Sequence, residues 1–536
     1  MVDRLNGATL DSLPGMLGHA EGLIAALQTH AAFWKVQALE DTHDQNAKQA
    51  RDQVESDESM IEAAMNARLR RVPSGLVLSL GTYAFLARMA QQDATHGLSP
   101  DAQRYRGAVV LPAEQNIADA YDLLDARLGS PKGISSPDAM VRRDAIKERN
   151  AAYASLAPEE ATLLAELVGL ENRDAVAQGY RNAADRKYQQ LGLDESTVSS
   201  TLAAVAAEAP VYRSYQKVLA DHAASTLHVV AALSSEIDMA SSKAPAIPLD
   251  EARRMILSAL QPLGDDYVKR FAQLLDPANG RLDLAGGAHR ANAGTSISAY
   301  DAPTALYYSG YNGSLRDVSK IAHEGGHAIH RELMNAAEIP IYERSGPNYV
   351  FEGFAIFNEL LLLDHAAETA ETPLAKQCAL ERLLSKISLE LFVSAEETSF
   401  ERSIYTEAVE QPLLDRAKID SAFRASLQPY EYFPVDDVGQ SRGWMRKSLL
   451  FEDPLYLVNY LYASVIAVAL YDKSQSDPDF AAKYEALLRR GFDAEPRALL
   501  ASLGIQLGDP NVIKPAARLL EKKTAELEHL YAQKLD

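Results

Sequence analysis

Residues 314–330 read Ser314-Leu315-Arg316-Asp317-Val318-Ser319-Lys320-Ile321-Ala322-His323-Glu324-Gly325-Gly326-His327-Ala328-Ile329-His330, and the pattern H-E-x-x-H lies inside them. Four residues are a little over one turn of an α-helix, so on a helix His323 and His327 point the same way and two imidazoles can hold one metal ion. Glu324 then sits beside the metal, not on it. From there a carboxylate can take a proton from an activated water and later hand it to a leaving amine. The competing reading of the motif alone is a helix whose histidines are ordinary core or surface residues.

Neighbouring residues favour the helix. Ser314 and Asp317 have the spacing of a capping box, and Leu315, Val318, Ile321, Ala322, Ile329, Leu333 and Met334 follow at roughly helical intervals. Gly325 and Gly326 are poor residues for a helix interior, costing about 1 kcal/mol each relative to alanine. Something should require that bare backbone, such as close approach of a neighbouring strand or of a substrate.

A metal site of this type needs a third protein ligand, and Pro340 with Ser345-Gly346-Pro347 ends the helix before one is met. The next helical stretch, Tyr349 to Leu363, is apolar almost throughout and reads as buried. Its acids are Glu352 and Glu359. Carboxylates in so apolar a segment are costly unless paired or bound to metal, which makes Glu352 the natural third ligand and Glu359 a partner for a ligating histidine. A buried salt bridge is the alternative.

At this point the chain resembles a known family. His323, His327 and Glu352, the last lying 29 positions after the first, are similar in spacing to the thimet oligopeptidase and oligoendopeptidase F family of zinc peptidases. The flanks look like oligoendopeptidase F: His330 follows the motif, and Phe351-Glu352 leads to Asn358-Glu359. Metzincins fit less well, because Arg331 and its successors supply neither their glycine nor their third histidine. Upstream, Asp276-Pro277, Arg281-Leu282-Asp283-Leu284, His289-Arg290 and Gly294-Thr295-Ser296 are similar to the family's approach to its active-site strands. The likeness covers roughly residues 276–470.

The resemblance implies a mainly α, two-lobed helical zincin-type metallopeptidase with a small β-sheet beside the motif helix. We expect a helical lobe over 1–190 and a catalytic lobe over 191–536. One Zn2+ per chain would be held by His323, His327 and Glu352, with Glu324 as general base and Glu359 and His330 behind the ligands. The implied reaction is endopeptidase hydrolysis of amide bonds in short peptides. Tyr456, Tyr460 and Tyr462 lie where the family has a histidine and tyrosines that stabilise the tetrahedral intermediate. Here Ser448-Leu449-Leu450-Phe451-Glu452-Asp453 contains no histidine. Tyr460 first, then Tyr456, four apart on one helix face, are the candidates for that role; the alternative is a set of core and groove aromatics. The missing histidine also supports a reading from another class: a non-proteolytic zinc protein on the same scaffold, either a binding module or a hydrolase for a specialised amide. The intact Glu324 argues against it, since a binding module needs no base.

Composition sets outer bounds. At 536 residues and 47% hydrophobic content the chain can bury sizeable cores, and a net charge of −21 argues against nucleic acid and anionic membranes as partners. Cys378 is the only cysteine, so no intramolecular disulfide is expected and the setting reads as reducing and cytoplasmic. Met1 to Leu5 lead into no apolar secretory core, and the longest apolar run, Tyr460 to Tyr471, is too short to span a bilayer.

In chain order, a helical pattern runs from about Thr9 to Arg71, breaks at Pro73-Ser74-Gly75, and resumes to about Leu128 before an exposed loop at 129–137. Asp194 opens an amphipathic stretch to about Ala240, interrupted at Pro210, and Ala244 to Pro248 form a connector. Asp250 and Asp265 read as caps of two short helices. Thr295–Tyr300 and Thr304–Ser309 alternate weakly and read as an antiparallel pair, either a plain hairpin or an edge onto which an extended substrate adds as a further strand. Helices then continue, with a break at Pro429 to Pro434, to a last one over Ala516–Lys534.

Overall fold

The computed structural model describes residues 1–129, 131–241, 244–300, 302–410, 414–435 and 438–533. The chain is mainly α, with one small sheet beside the motif helix. Its backbone divides into two compact units, each assembled from three separate stretches. The first is Met1–Gly97, Ala244–Thr369 and Leu470–Ile505; the second is Leu98–Lys243, Ala370–Ala469 and Gln506–Asp536. This interleaved division differs from the single boundary expected near residue 190.

The first unit contains the motif. Its N-terminal stretch is a pair of long helices, Leu13–Glu40 and Gln45–Leu69, the second capped by Asp44, whose side chain accepts from the N–H groups of Asn46 and Ala47. Leu13, Leu17, Ile24, Met65 and Leu69 are buried together, each contributing about 1.5–3 kcal/mol of apolar burial. The sheet has three strands, β1 (Leu282–Asp283), β2 (Gly294–Ile297) and β3 (Ala305–Tyr308), in the order β1-β3-β2. β2 and β3 pair antiparallel with Ser296 opposite Leu306, as the alternation suggests, while β1 runs parallel to β3 and is too short to read from sequence. β2 is therefore an edge strand, and it packs against the motif helix.

That helix runs from Leu315 to Ala336 and opens with the expected capping box: Asp317 N–H donates to the Ser314 hydroxyl at 3.2 Å and Ser314 N–H to the Asp317 carboxylate at 3.2 Å. Such a cap is worth about 1 kcal/mol. Tyr308 of β3 donates to the same carboxylate at 2.8 Å, which ties the sheet to the start of the helix.

The two glycines have a cause different from the one expected. A Cβ on Gly325 would lie 2.1 Å from the Phe271 ring, and one on Gly326 would lie 2.8 Å from Asn358 Nδ2 and 3.3 Å from Ala355 Cα. Helices Asp265–Leu274 and Asn348–Thr369 press on the motif helix, so the close neighbours are helices and not a strand or a substrate. The second of these carries Glu352 and Glu359 and is buried on nearly every side. Phe480 and Tyr484, from the helix Phe480–Arg490, meet its Phe354 and Phe357 edge-on with ring centroids 5.6–5.7 Å apart.

Two expected caps are not caps. Pro248 and Gly264 occupy the N-cap positions, and Asp250 and Asp265 fall in the first turns, where a carboxylate still meets the positive end of the helix dipole.

The second unit is a helical assembly that includes Ala139–Ala177, Glu195–Thr226, Ser394–Glu410, Arg416–Leu427 and Lys514–Ala532. Pro210 lies inside its helix without interrupting it. The local cost of such a proline, about 3 kcal/mol, is outweighed by burial of Ala209, Tyr212 and Tyr215 around it. The helix ends at Thr226, short of Ala240, where the chain turns through His228 at a φ of +53°. Aromatic stacks hold this unit together, Tyr212 on Phe392 and Tyr121 on Phe451. The last helix ends at Ala532; Lys534, its expected end, lies outside the described residues. Among the described residues no helix is long and apolar enough to cross a membrane.

Candidate metal centre

His323 and His327 emerge from one face of the motif helix with their rings 4.9 Å apart and nearly perpendicular. Glu352, from the first turns of the neighbouring helix, reaches both: its carboxylate oxygens lie 3.2 Å from His323 Nε2 and 3.5 Å from His327 Nε2. Donors about 2.0–2.1 Å from a tetrahedral zinc ion stand roughly 3.4 Å from one another, so these separations match a shared cation. Two imidazoles and one carboxylate are a donor set suited to zinc.

The tautomer is set from behind. His323 Nδ1 lies 2.8 Å from Glu359, whose other oxygen accepts from the Ser319 hydroxyl at 2.5 Å. The Nδ1 proton is thereby committed to a buried carboxylate, which leaves the Nε2 lone pair facing Glu352. Burial opposes a charged His323, yet its hydrogen bonds to Glu352 and Glu359 carry it up to about 9. Burial lowers His327, with Glu352 pulling the other way. The Glu352 carboxyl is held far below the usual carboxylate range because its bonds to both histidines outweigh its own burial. A dication bound among the three donors would displace any proton held between them.

Glu324 does not point among the ligands. Its Oε1 pairs with Lys320 Nζ at 3.0 Å, one turn back on the same helix, and its Oε2 accepts from the backbone N–H of Ser296 on β2 at 3.1 Å. The carboxylate is thus oriented from two sides and out of most water. His330 lies elsewhere: its ring packs among Phe351, Phe354 and Phe492 at 5.1–5.9 Å, and burial pushes its pKa down to about 3. It is a neutral aromatic wall of the site.

Arg331, Lys35, Lys320 and Ser296 form part of this site and are missed by motif reading. Arg331 Nη1 donates to the Ser296 hydroxyl at 2.9 Å, and Lys35 Nζ to the Thr295 hydroxyl at 3.1 Å. Helical spacing could have found Lys320, four before Glu324, and Arg331, four after His327. Nothing local marks Lys35.

Tyr456 and Tyr460 belong to the second unit, the metal-type ligands to the first. Their rings meet edge-on at 5.4 Å, with Tyr456 just ahead of the helix that starts at Leu457. The turn into them is held by Glu401, which accepts from Leu455 N–H at 2.6 Å while Leu455 keeps a φ of +61°; burial pushes the Glu401 carboxyl up to about 8. Tyr462 is fully buried with its hydroxyl 3.1 Å from Thr201 Oγ1, as befits its different face.

A second trio, Asp41, His43 and His289, also gathers ligand-type atoms within 4.8 Å. All three are exposed.

Residues 275–518 match the family model described as Peptidase family M3. That match begins where the resemblance in sequence begins and runs well past residue 470. Among characterised relatives, oligopeptidase PepF of Bacillus subtilis (strain 168) is 21% identical over 74% of this chain, and the chain spans 58% of that protein's length. Oligoendopeptidase F of Lactococcus lactis subsp. cremoris is 21% identical over 50% of this chain and 44% of its own. Solved structures share the fold over nearly the whole chain. One from Chlamydophila abortus has a TM-score of 0.86 at 19% identity, covering 97% of this chain and 91% of its own. Oligoendopeptidase F from Enterococcus faecium has a TM-score of 0.68 at 17% identity, covering 99% and 96%.

Proposed function

We propose, on the premise that residues 275–518 are a peptidase family M3 domain, that this chain is a zinc metallo-oligopeptidase hydrolysing amide bonds in short peptides. The observation that carries the reading is the convergence of His323, His327 and Glu352 with Glu324 held beside them. One zinc ion held by those three donors supplies a Lewis acid, which acidifies water and polarises a carbonyl.

The chain's own residues do the rest. Glu359 fixes the His323 tautomer and ring angle. Glu324, oriented by Lys320 and the Ser296 N–H, takes a proton from the attacking water and delivers it to the leaving amine as the C–N bond breaks. An extended peptide adds along the free edge of β2, beside the motif helix. Tyr460, and second Tyr456, are the candidates to donate a hydrogen bond to the developing oxyanion, a bond worth about 3 kcal/mol. A single cysteine suits a reducing, cytoplasmic setting.

Zinc-loaded protein is incubated with a mixed peptide library and the products are identified by mass spectrometry. We expect cleavage of short peptides, a loss of roughly a hundredfold or more in Glu324→Gln with zinc retained, and a roughly hundredfold lower turnover in Tyr460→Phe or the Tyr456→Phe, Tyr460→Phe double variant. Parental rates in Glu324→Gln would remove it as the base. Absence of any cut peptide would turn the reading towards a non-proteolytic zinc protein.

A further inference from the structure

Asp41, His43 and His289 take no part in the chemistry above, yet their ligand-type atoms lie within 4.8 Å of one another and the two imidazole rings meet at 4.5 Å. All three belong to the first unit. Asp41 and His43 sit in the turn between the helices Leu13–Glu40 and Gln45–Leu69, and His289 sits in the loop between β1 and β2. Thr42 joins the two loops across 247 positions of sequence: its N–H donates to the His289 carbonyl at 2.7 Å and its hydroxyl to the same oxygen at 2.9 Å. Beside it Ala291 N–H donates to the Leu39 carbonyl at 2.8 Å, and the Tyr307 hydroxyl of β3 lies 3.0 Å from the Leu39 oxygen and 2.9 Å from that of Ala291. Arg290 covers the Tyr307 ring at 5.0 Å and pairs with Asp283 of β1. The backbone that carries the three side chains is therefore fixed from several directions.

The side chains are left available. Among the described residues the Asp41 carboxylate has one hydrogen bond, from His43 N–H to Oδ1 at 2.9 Å, and neither imidazole bonds through a ring nitrogen. A neutral imidazole without a partner keeps a lone pair for a metal. Bonds of about 2.1 Å put donors on opposite sides of an ion about 4.2 Å apart, so atoms already within 4.8 Å need only a small rotation to share one. Exposed side chains make that rotation without disturbing a core. We propose that Asp41, His43 and His289 form a second metal site, for a divalent transition ion such as zinc or nickel, which pins the turn between the first two helices to the loop leading into β2. Two imidazoles and one carboxylate suit such ions better than magnesium or calcium. β2 carries the Ser296 N–H that orients Glu324, so the ion braces that strand from its approach without entering the buried centre. Water completes the coordination of an exposed ion, which therefore exchanges and is removed by gel filtration into metal-free buffer; the zinc content of the purified chain still reports on His323, His327 and Glu352.

The test uses the untagged chain with His323→Ala and His327→Ala, which silence the first centre, titrated calorimetrically with Zn2+ and separately with Ni2+. One ion per chain should bind, and the midpoint of thermal unfolding should rise with metal concentration, because only the folded loops hold the ion. Adding His43→Gln or His289→Gln should weaken the binding by more than about tenfold, since loss of a direct ligand costs at least as much as loss of a group behind one, and should remove the rise in midpoint. Circular dichroism establishes that each variant is folded. If the silenced chain does not fold, the parent preloaded with one zinc is titrated instead, and the second binding event is the one read. No such event, or one that survives His43→Gln and His289→Gln together, overturns the site. Neither outcome bears on the peptidase reading, and a chain that cuts no peptide still upholds the second site if its ion is lost with His289→Gln.

Discussion

Glu236 in the second unit and Glu352 in the first both place a carboxylate among nitrogen donors, and the donors differ in what they leave undone. Glu236 accepts from Arg142 Nε at 2.7 Å, from Arg143 Nη2 at 3.0 Å and from the backbone N–H of Leu233 at 2.9 Å, and the side chains of Glu236 and Arg142 are fully buried. Those donors outweigh the penalty of burial and hold its carboxyl down to about 2. The arginines are permanently charged, so the carboxylate has its counter-ions without any further group. Glu352 instead faces two imidazoles whose nitrogens can ligate when neutral, an arrangement that a shared cation would fit. A closed ion cluster stabilises a fold, whereas an open one creates a site.

The difference can be broken most severely at the open cluster. Replacing His323 and His327 together by Ala should abolish stoichiometric zinc and peptide hydrolysis alike while leaving the helical content unchanged, read by elemental analysis, assay and circular dichroism. Zinc that stayed at one per chain would move the site elsewhere.

Breaking the closed cluster should cost stability, not activity. Glu236→Ala leaves Arg142 buried without its counter-ion, a loss of about 3–5 kcal/mol in urea unfolding. The acid response sharpens the contrast. Because the folded carboxyl titrates near 2 and an unfolded one near 4.5, its stabilisation is full above about 4.5 and is lost as pH falls through about 2. The gap between parent and Glu236→Gln should narrow across that window; a constant gap would mean that the carboxylate charge is not what stabilises.

The smallest effect is expected one shell out from the ligands. Glu359→Gln keeps the volume and can still accept from His323 Nδ1–H, so zinc should remain but bind about 10–100-fold more weakly, as chelator competition would measure. Unchanged affinity would make Glu359 a packing residue.

Much of the first unit's centre was legible because its signals are local. A capping box, a four-residue histidine spacing and an apolar helix with two acids are each contained within about one helix, and the β2–β3 pair joins two neighbouring short strands. What was not legible depends on residues far apart in sequence. Lys35 reaches Thr295 across 260 positions, and no periodicity encodes that. Phe271 and Asn358, not a strand, explain Gly325 and Gly326. Pro210 is tolerated because tertiary burial outweighs a local preference, and Asp250 and Asp265 sit two and one positions past the true caps because a carboxylate is favoured throughout a first turn. The interleaved units follow from the same blindness, since each draws together three stretches that are not neighbours in sequence.

That interleaving bears on the order in which the protein is made. The walls of the centre include Phe492, 4.7 Å from Phe351 and 5.9 Å from His330, and Tyr484, 5.7 Å from Phe354, all contributed by the stretch 470–505. A ribosome delivers the motif helix and its acidic neighbour long before that stretch, and in between it delivers one hundred residues, Ala370–Ala469, that belong to the other unit. The nascent chain therefore carries His323, His327, Glu352 and Glu324 without their aromatic backing until translation has passed residue 492. Closure of the centre is thus deferred until the chain has returned from the other unit.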